Sequence, residues 1–345
     1  MRRLFLWALS LLICALLLLP GCEKRPEPVE FTTFAMDTVM NFTLYGEKKQ
    51  TEDAVKSLLT GEVSALEGIL SATQESSEIA RLNHRGTGGV SAETAGVLAK
   101  ALELCEVTGG ALDVTAYPAV KAWGFTGEAH RVPSPAELEA LAAKIDYSAV
   151  KLEGETVTLP EGMEMDLGAV AKGYAGDVLA ETVRANEIAS ALLDLGQSTI
   201  LAVGAKPDGK PWRIGVVDPA QPGRYFAVVE LEDMAMGASG GYQRYFEEDG
   251  VVYWHILDPD TAAPARSGLS SVTVISPSAL LCDGLSTALF VMGLEEGAQF
   301  WRDHPELAFE AVFVTEAGEV FRTAGLEGRF SLAEGYEELE VTVLE

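Results

Sequence analysis

From Thr38 to Tyr45 the chain sets Val39, Met40, Phe42 and Leu44 among polar residues, an alternation that predicts a strand. Helical spacing follows over Glu52 to Leu70 and again over Ala92 to Val107, where Gly109-Gly110 stops it. Ser134-Pro135 opens a third helix, and Val150 to Leu159 reads as a hairpin turning at Gly154. Short strand-like runs then dominate: Ser190 to Leu195, Trp212 to Val217, Tyr225 to Glu230, Val251 to Ile256 and Ser270 to Ile275. Helices are predicted between them at Gly168 to Ala185 and Pro277 to Gly293, the latter with Ser276 as N-cap and Pro277 in its first turn. Strands joined by short turns, with helices interspersed, predict an α+β fold. The expectation is a single compact unit, a mainly antiparallel sheet with flanking helices, with room for two lobes.

The first residues follow another rule. Arg2 and Arg3 precede an apolar run from Leu4 to Leu19, shorter than the roughly 20 residues a helix needs to cross a bilayer. Leu19-Pro20-Gly21-Cys22 ends that run, and a polar stretch rich in Pro and Glu begins. A basic start, a short apolar stretch and a small residue before a cut describe an export signal. The cysteine that follows makes the site similar to a bacterial lipobox, with the lipid on Cys22; a plain N-terminal membrane anchor is the alternative. The expected organisation is a signal over residues 1–22, a tether over 23–31 and one domain over 32–345, held at a membrane outside the cytoplasm.

Composition narrows the partners. The net charge is −27, and two units more negative without Arg2 and Arg3. So acidic a chain is unsuited to nucleic acid, which needs basic patches, and to anionic lipid surfaces. Beyond Cys14 and Cys22 only Cys105 and Cys282 remain, too few for a disulfide framework or a zinc site. They are read as two buried thiols, with one bridge as the alternative.

Three segments carry candidate chemistry. Asp166 ends a hairpin and leads into Gly168-Ala169-Val170-Ala171-Lys172-Gly173, a junction that presents free N–H groups to an anionic ligand, or one where Asp166 simply caps a helix and the glycines pack. Asp283 and Thr287 are four apart on a helix, with Ser286 beside them. A carboxylate among neutral oxygen donors suits Mg2+ with phosphate oxygens completing its shell; a solvated stripe on an amphipathic helix reads equally well. In the third, Gly237 to Tyr242 is followed by His255, which precedes an Asp258-Pro259 turn. It is placed either as a general base or as a structural histidine.

Taken in order, these segments resemble the ApbE family of flavin transferases over nearly all of the chain, from about Phe34 to about Thr323. The matching pieces include Ala35-Met36-Asp37-Thr38, Ser77 to Asn83, Gly110 to Thr115, Asp166 to Tyr174 and Leu193 to Gly196. Pro211 to Gly215, Ser239-Gly240, His255 to Pro259 and Asp283 to Thr287 complete them. The resemblance implies a T-fold-like unit in which Asp283, Thr287 and the Ala169 carbonyl hold Mg2+. It further implies an FAD site lined by Met36, Ala111, Leu112, Asp113, Asp166, Lys172 and Leu257, with His255 as catalytic base. The implied reaction moves FMN from FAD onto a threonine or serine hydroxyl of an exported or membrane acceptor protein, releasing AMP. Hydrolysis of FAD to FMN and AMP, and flavin binding without catalysis, are the competing readings. One departure stands out: Ser71-Ala72-Thr73 lacks a tyrosine common in that family at its third position.

Overall fold

The computed structural model describes residues 27–46, 49–127 and 129–345. The proposed signal and Cys22 lie outside the described residues. The alternation seen in the sequence becomes β2 (Thr38–Tyr45), which pairs with β1 (Val29–Ala35), so the sheet starts inside the stretch read as a tether. Ala35 pairs with Thr38, leaving Met36 and Asp37 as a two-residue turn. Both have positive φ, 51° and 58°, the twist that a tight hairpin demands and that residues other than glycine adopt at a cost.

Three helices follow, α1 (Lys49–Leu70), α2 (Glu78–Arg85) and α3 (Ala92–Val107), the last two capped by Ser77 and Ser91. A small sheet of β3 (Thr87–Gly89), β4 (Lys151–Glu153) and β5 (Thr156–Thr158) includes the expected hairpin at Gly154. Between its strands lie α4 (Tyr117–Trp123) and α5 (Pro135–Ala142), the second capped by Ser134 as the Ser-Pro pair predicts.

After α6 (Ala171–Ala185) come β6 (Ser190–Asp194), β7 (Thr199–Val203), β8 (Trp212–Val217), β9 (Tyr225–Leu231) and β10 (Met234–Gly240). Two hairpins follow, β11 (Tyr245–Glu248) with β12 (Val251–Trp254) and β13 (Leu257–Asp258) with β14 (Ala263–Pro264). The chain continues through β15 (Leu269–Ser276), α7 (Ala279–Met292) and α8 (Leu294–Asp303). It ends in β16 (Glu310–Thr315), β17 (Val320–Thr323), β18 (Phe330–Leu332) and β19 (Val341–Leu344).

Nine strands form the main sheet in the order β1-β2-β6-β7-β10-β15-β16-β17-β19, antiparallel throughout except for the β17–β19 pair. That is the expected α+β architecture. Alternate residues of one strand serve two cores: Phe313 faces the helices, while Val312 and Val314 face a second sheet, β18-β9-β8. Burial on both faces explains why β15 is buried at all but one of its eight positions and reads as a continuous apolar run. The room for a second lobe is taken by this small sheet, packed on the large one.

Two helix starts differ from expectation. The helix after Asp166 begins at Ala171, because Gly168 to Val170 form a turn. Ser276 ends β15, and Ser278 is the N-cap of α7; Asp177 of α6 accepts hydrogen bonds from Ala279 N (2.7 Å), Leu280 N (3.2 Å) and the Ser278 hydroxyl (2.8 Å). A carboxylate from another helix satisfies the orphan donors, which moves the start two residues on.

Candidate active site

The floor of the site is the contact between α6, α7 and β10. Gly173 lets α6 lie directly on the start of α7: a Cβ there would stand 2.2 Å from the Ala279 carbonyl oxygen. Gly237 does the same for β10 against α7, where a Cβ would meet Cys282 at 2.7 Å. At this junction Asp283 is 8% exposed, which excludes the solvated stripe. One of its oxygens accepts from Gly173 N at 2.6 Å and the other from the Thr199 hydroxyl. Burial still pushes its carboxyl up to about 6, with Lys172 and these hydrogen bonds working against the shift. Ser239 Oγ lies 2.8 Å from Ser286 Oγ and 3.2 Å from Thr287 Oγ1, and the last two donate to the Asp283 main-chain carbonyl at 2.9 and 3.4 Å, so three hydroxyls gather one turn along the same helix face.

Among the described residues no three His, Cys, Asp or Glu side chains cluster as a metal cage. The side-chain donors here are one carboxylate and hydroxyls, all oxygen, and Ala169, whose carbonyl the family resemblance assigns to the metal, lines the same cavity. That set fits Mg2+, which binds through one or two carboxylates and takes its remaining ligands from water and substrate phosphates. A dication would also supply the counter-charge that the raised Asp283 carboxyl lacks.

Above this floor opens a cavity of about 790 Å3, within the range of small-molecule sites. Met36, Ala111, Leu112, Asp113, Asp166, Ala169, Lys172, His255, Leu257, Asp283 and Thr287 all line it. Residues scattered over some 250 positions of sequence are therefore brought to one place. Their engagements differ. Asp113 borders the cavity, yet one oxygen accepts from Thr115 N and Oγ1 and the other from Tyr147 N, so both hold the loop that shapes the wall. Asp166 does not cap α6; its Oδ1 accepts from Gly168 N at 2.9 Å and so forms the turn before the helix. Burial raises its carboxyl, opposed by that N–H, Lys172 and Arg244. Lys172 thus has Asp166, Asp283 and His255 within its electrostatic reach.

His255 follows β12 and stands against the edge of the Phe125 ring, 6.4 Å between centroids. Its Nδ1 lies 3.2 Å from the Arg244 carbonyl oxygen. A carbonyl only accepts, so Nδ1 carries the proton and Nε2 keeps its lone pair. Burial, then the charges of Arg244 and Lys172, push the imidazole down to about 4. At neutral pH it is an uncharged base.

The sequence reading missed Thr199, Arg244, Phe125 and Tyr117, and gave Tyr242, within its third segment, no role of its own. Thr199 carries no local signal, because its partner Asp283 is 84 residues away. Arg244 lines the cavity and donates to the Phe125 carbonyl at 2.9 Å, tying the histidine's neighbours together. Tyr117 also lines it, and its hydroxyl donates at 3.2 Å to the carbonyl of Ala72, the middle residue of the triplet that lacks a tyrosine. Cys105 and Cys282 are free and buried; burial holds the Cys105 thiol up at about 12 and raises Cys282 as well.

A buried carboxylate among hydroxyl oxygens beneath a deep cavity, with a neutral histidine on its wall, has the chemistry that suits a phosphorylated small molecule. Residues 36–313 match the model of the ApbE family, and the chain belongs to that family. It is 37% identical over 302 residues to a Vibrio cholerae protein named FAD:protein FMN transferase, covering 84% of this chain and 89% of the relative. A Treponema pallidum protein of the same name is 31% identical, over 94% and 98% of the two chains. Among solved structures, an ApbE protein from Thermotoga maritima superposes with a TM-score of 0.82 at 30% identity, covering 87% of this chain and 98% of its own. The flavin transferase ApbE of Vibrio cholerae gives 0.76 at 28% identity, over 91% and 99%.

Proposed function

We propose that this chain transfers FMN from FAD to a threonine or serine hydroxyl of an acceptor protein and releases AMP. The observation that carries this reading is the meeting, in one cavity, of the buried Asp283 and its hydroxyls with an uncharged His255. Asp283, Thr287 and the Ala169 carbonyl would hold Mg2+, which supplies charge stabilisation to the pyrophosphate. Lys172 and Arg244 add fixed positive charge on the same cavity for the phosphate oxygens. Met36, Ala111, Leu112 and Leu257 offer apolar surface to the flavin. His255 Nε2 takes the proton of the acceptor hydroxyl, whose oxygen forms a bond to the FMN-side phosphorus. The bond from that phosphorus to the bridging oxygen breaks, and AMP leaves with that oxygen. Positioning and charge stabilisation supply most of the acceleration in such transfers. The acidic chain, with its export signal and Cys22, supports an enzyme lipid-anchored outside the cytoplasm, which membrane fractionation of Cys22→Ser against the parent checks.

The decisive test incubates the purified full chain with FAD and Mg2+, with and without a threonine-bearing acceptor domain, following AMP and protein-bound flavin. The reading expects acceptor-dependent labelling that EDTA abolishes. Equal AMP in both tubes with an unlabelled acceptor identifies hydrolysis instead.

A further inference from the structure

Beside the flavin-sized cavity lies a second groove of about 780 Å3, and the two share Pro222 and Tyr242. Tyr242 belongs to the walls of both. Tyr242's ring lies so close over Gly240 that a Cβ there would meet it at 2.4 Å. One wall of the groove is a face of the β11–β12 hairpin, where Tyr245 pairs with Trp254 and Glu247 with Val252. Phe226, Val314 and Leu339 give it an apolar base. Tyr245 is 55% exposed, an aromatic surface that the fold itself does not cover.

Its lining carries carboxylates and no Lys or Arg: Glu247 and Glu316 border it, both exposed and neither with a side-chain partner among the described residues, while Arg266 is held over the Trp254 ring by its bond to the Val252 carbonyl and Arg224 lies over the Tyr336 ring. Asp218, the third acid, is engaged by the Tyr336 hydroxyl at 2.7 Å. An apolar trough with two unpaired carboxylates complements an extended polypeptide bearing an apolar and a basic side chain.

We infer that this groove seats the segment of the acceptor protein that flanks its modified hydroxyl residue, delivering that residue past Tyr242 into the cavity. This rests on the transferase reading. The groove and the cavity share Pro222 and Tyr242, so an extended chain lying in the groove runs on toward the site.

The test uses the full chain and threonine-bearing peptides in which one Lys, Ala or Glu is walked along either side of the threonine. A Lys near the groove raises kcat/KM for flavin transfer over Glu at the same place by roughly tenfold. The double variant Glu247→Lys with Glu316→Lys reverses that preference, leaving FAD affinity and acceptor-free AMP release as in the parent. Unchanged peptide preference in the double variant overturns the inference while leaving the transferase standing. A change in solution mass with transfer unaltered makes the groove a contact between copies and overturns it too. A parent chain that neither binds FAD nor labels any peptide removes the transferase reading and this inference together.

Discussion

The floor of the cavity and its histidine-bearing wall face the same ligand but are built by opposite means. On the floor, main chains touch: Gly173 lies on Ala279 and Gly237 on Cys282, with Asp283 clamped by a backbone N–H and the Thr199 hydroxyl. On the wall, His255 is placed by aromatic edges and the Arg244 carbonyl. His130, stacked on Phe246 at 4.9 Å, ends that aromatic cluster in solvent. Close main-chain contact has no slack, since interiors pack at crystal density. Aromatic contacts tolerate a changed partner. Substitutions at the floor's glycines therefore decide whether the cavity exists, and substitutions in the wall decide what happens inside it.

The sharpest way to break that contrast is Gly173→Ala. Its Cβ has nowhere to go but into the Ala279 carbonyl, so α6 and α7 must part. We expect a loss of about 3 kcal/mol or more and loss of FAD binding with it. The same change at Gly61, on α1 with nothing within 4 Å of the added carbon, should stabilise by roughly 0.5–1 kcal/mol. Thermal melts of the two variants read both signs. Equal Tm values would show that the floor yields after all.

Asp283→Asn separates charge from packing. Asn can still accept from Gly173 N and turn its amide to the Thr199 oxygen, so the clamp survives. Removing a buried charge without a full partner should hold or raise Tm at pH 8 without metal. Transfer should nevertheless fall by about a thousandfold, and Mg2+ should no longer raise Tm. A variant that melts lower than the parent in EDTA would mean that the carboxylate is compensated by something other than a cation.

How much of this was legible follows from the range of each interaction. The strand at Thr38–Tyr45, the helix at Ala92–Val107 and the Ser134 cap rest on neighbouring residues, and all appear where local pattern puts them. Asp283 and His255 stand out because an acid in an apolar helix and a rare histidine before a turn are local anomalies. Thr199, Arg244 and Asp177 are invisible by that route, since each acts on a partner about 11 to more than 100 residues away. The start of α7 shows the consequence. Ser276-Pro277 has the composition of a helix entry, but the Asp177 carboxylate arrives from α6 and the helix begins at Ala279.

On the wall, His255→Ala should lower kcat by about a hundredfold or more while FAD affinity and Tm stay near the parent's. The cavity keeps its floor, and only the proton acceptor is lost. A fall in Tm comparable to that of Gly173→Ala would erase the distinction between the two regions.

The smallest effect is the most discriminating, because burial moves both groups against charge and the two responses oppose. His255 drops from 6.5 to about 4, so between those values the unfolded chain binds a proton that the folded chain refuses. Its contribution to stability therefore falls as the solution is acidified through that window. Asp283 rises from 3.8 to about 6, so there the folded chain binds the extra proton, and stability present below 3.8 is lost as pH rises through 6. From about 4 to 6 the two slopes cancel in the metal-free parent. Replacing either one exposes the other: relative to the parent, Asp283→Asn should gain stability as pH rises through that interval, while the advantage of His255→Gln should shrink. Denaturant melts at half-unit pH steps in EDTA measure both differences. Curves that run parallel to the parent's would mean that the burial of one group is relieved by water entering the cavity, and the wall, with fewer main-chain contacts, is the side where that water would enter.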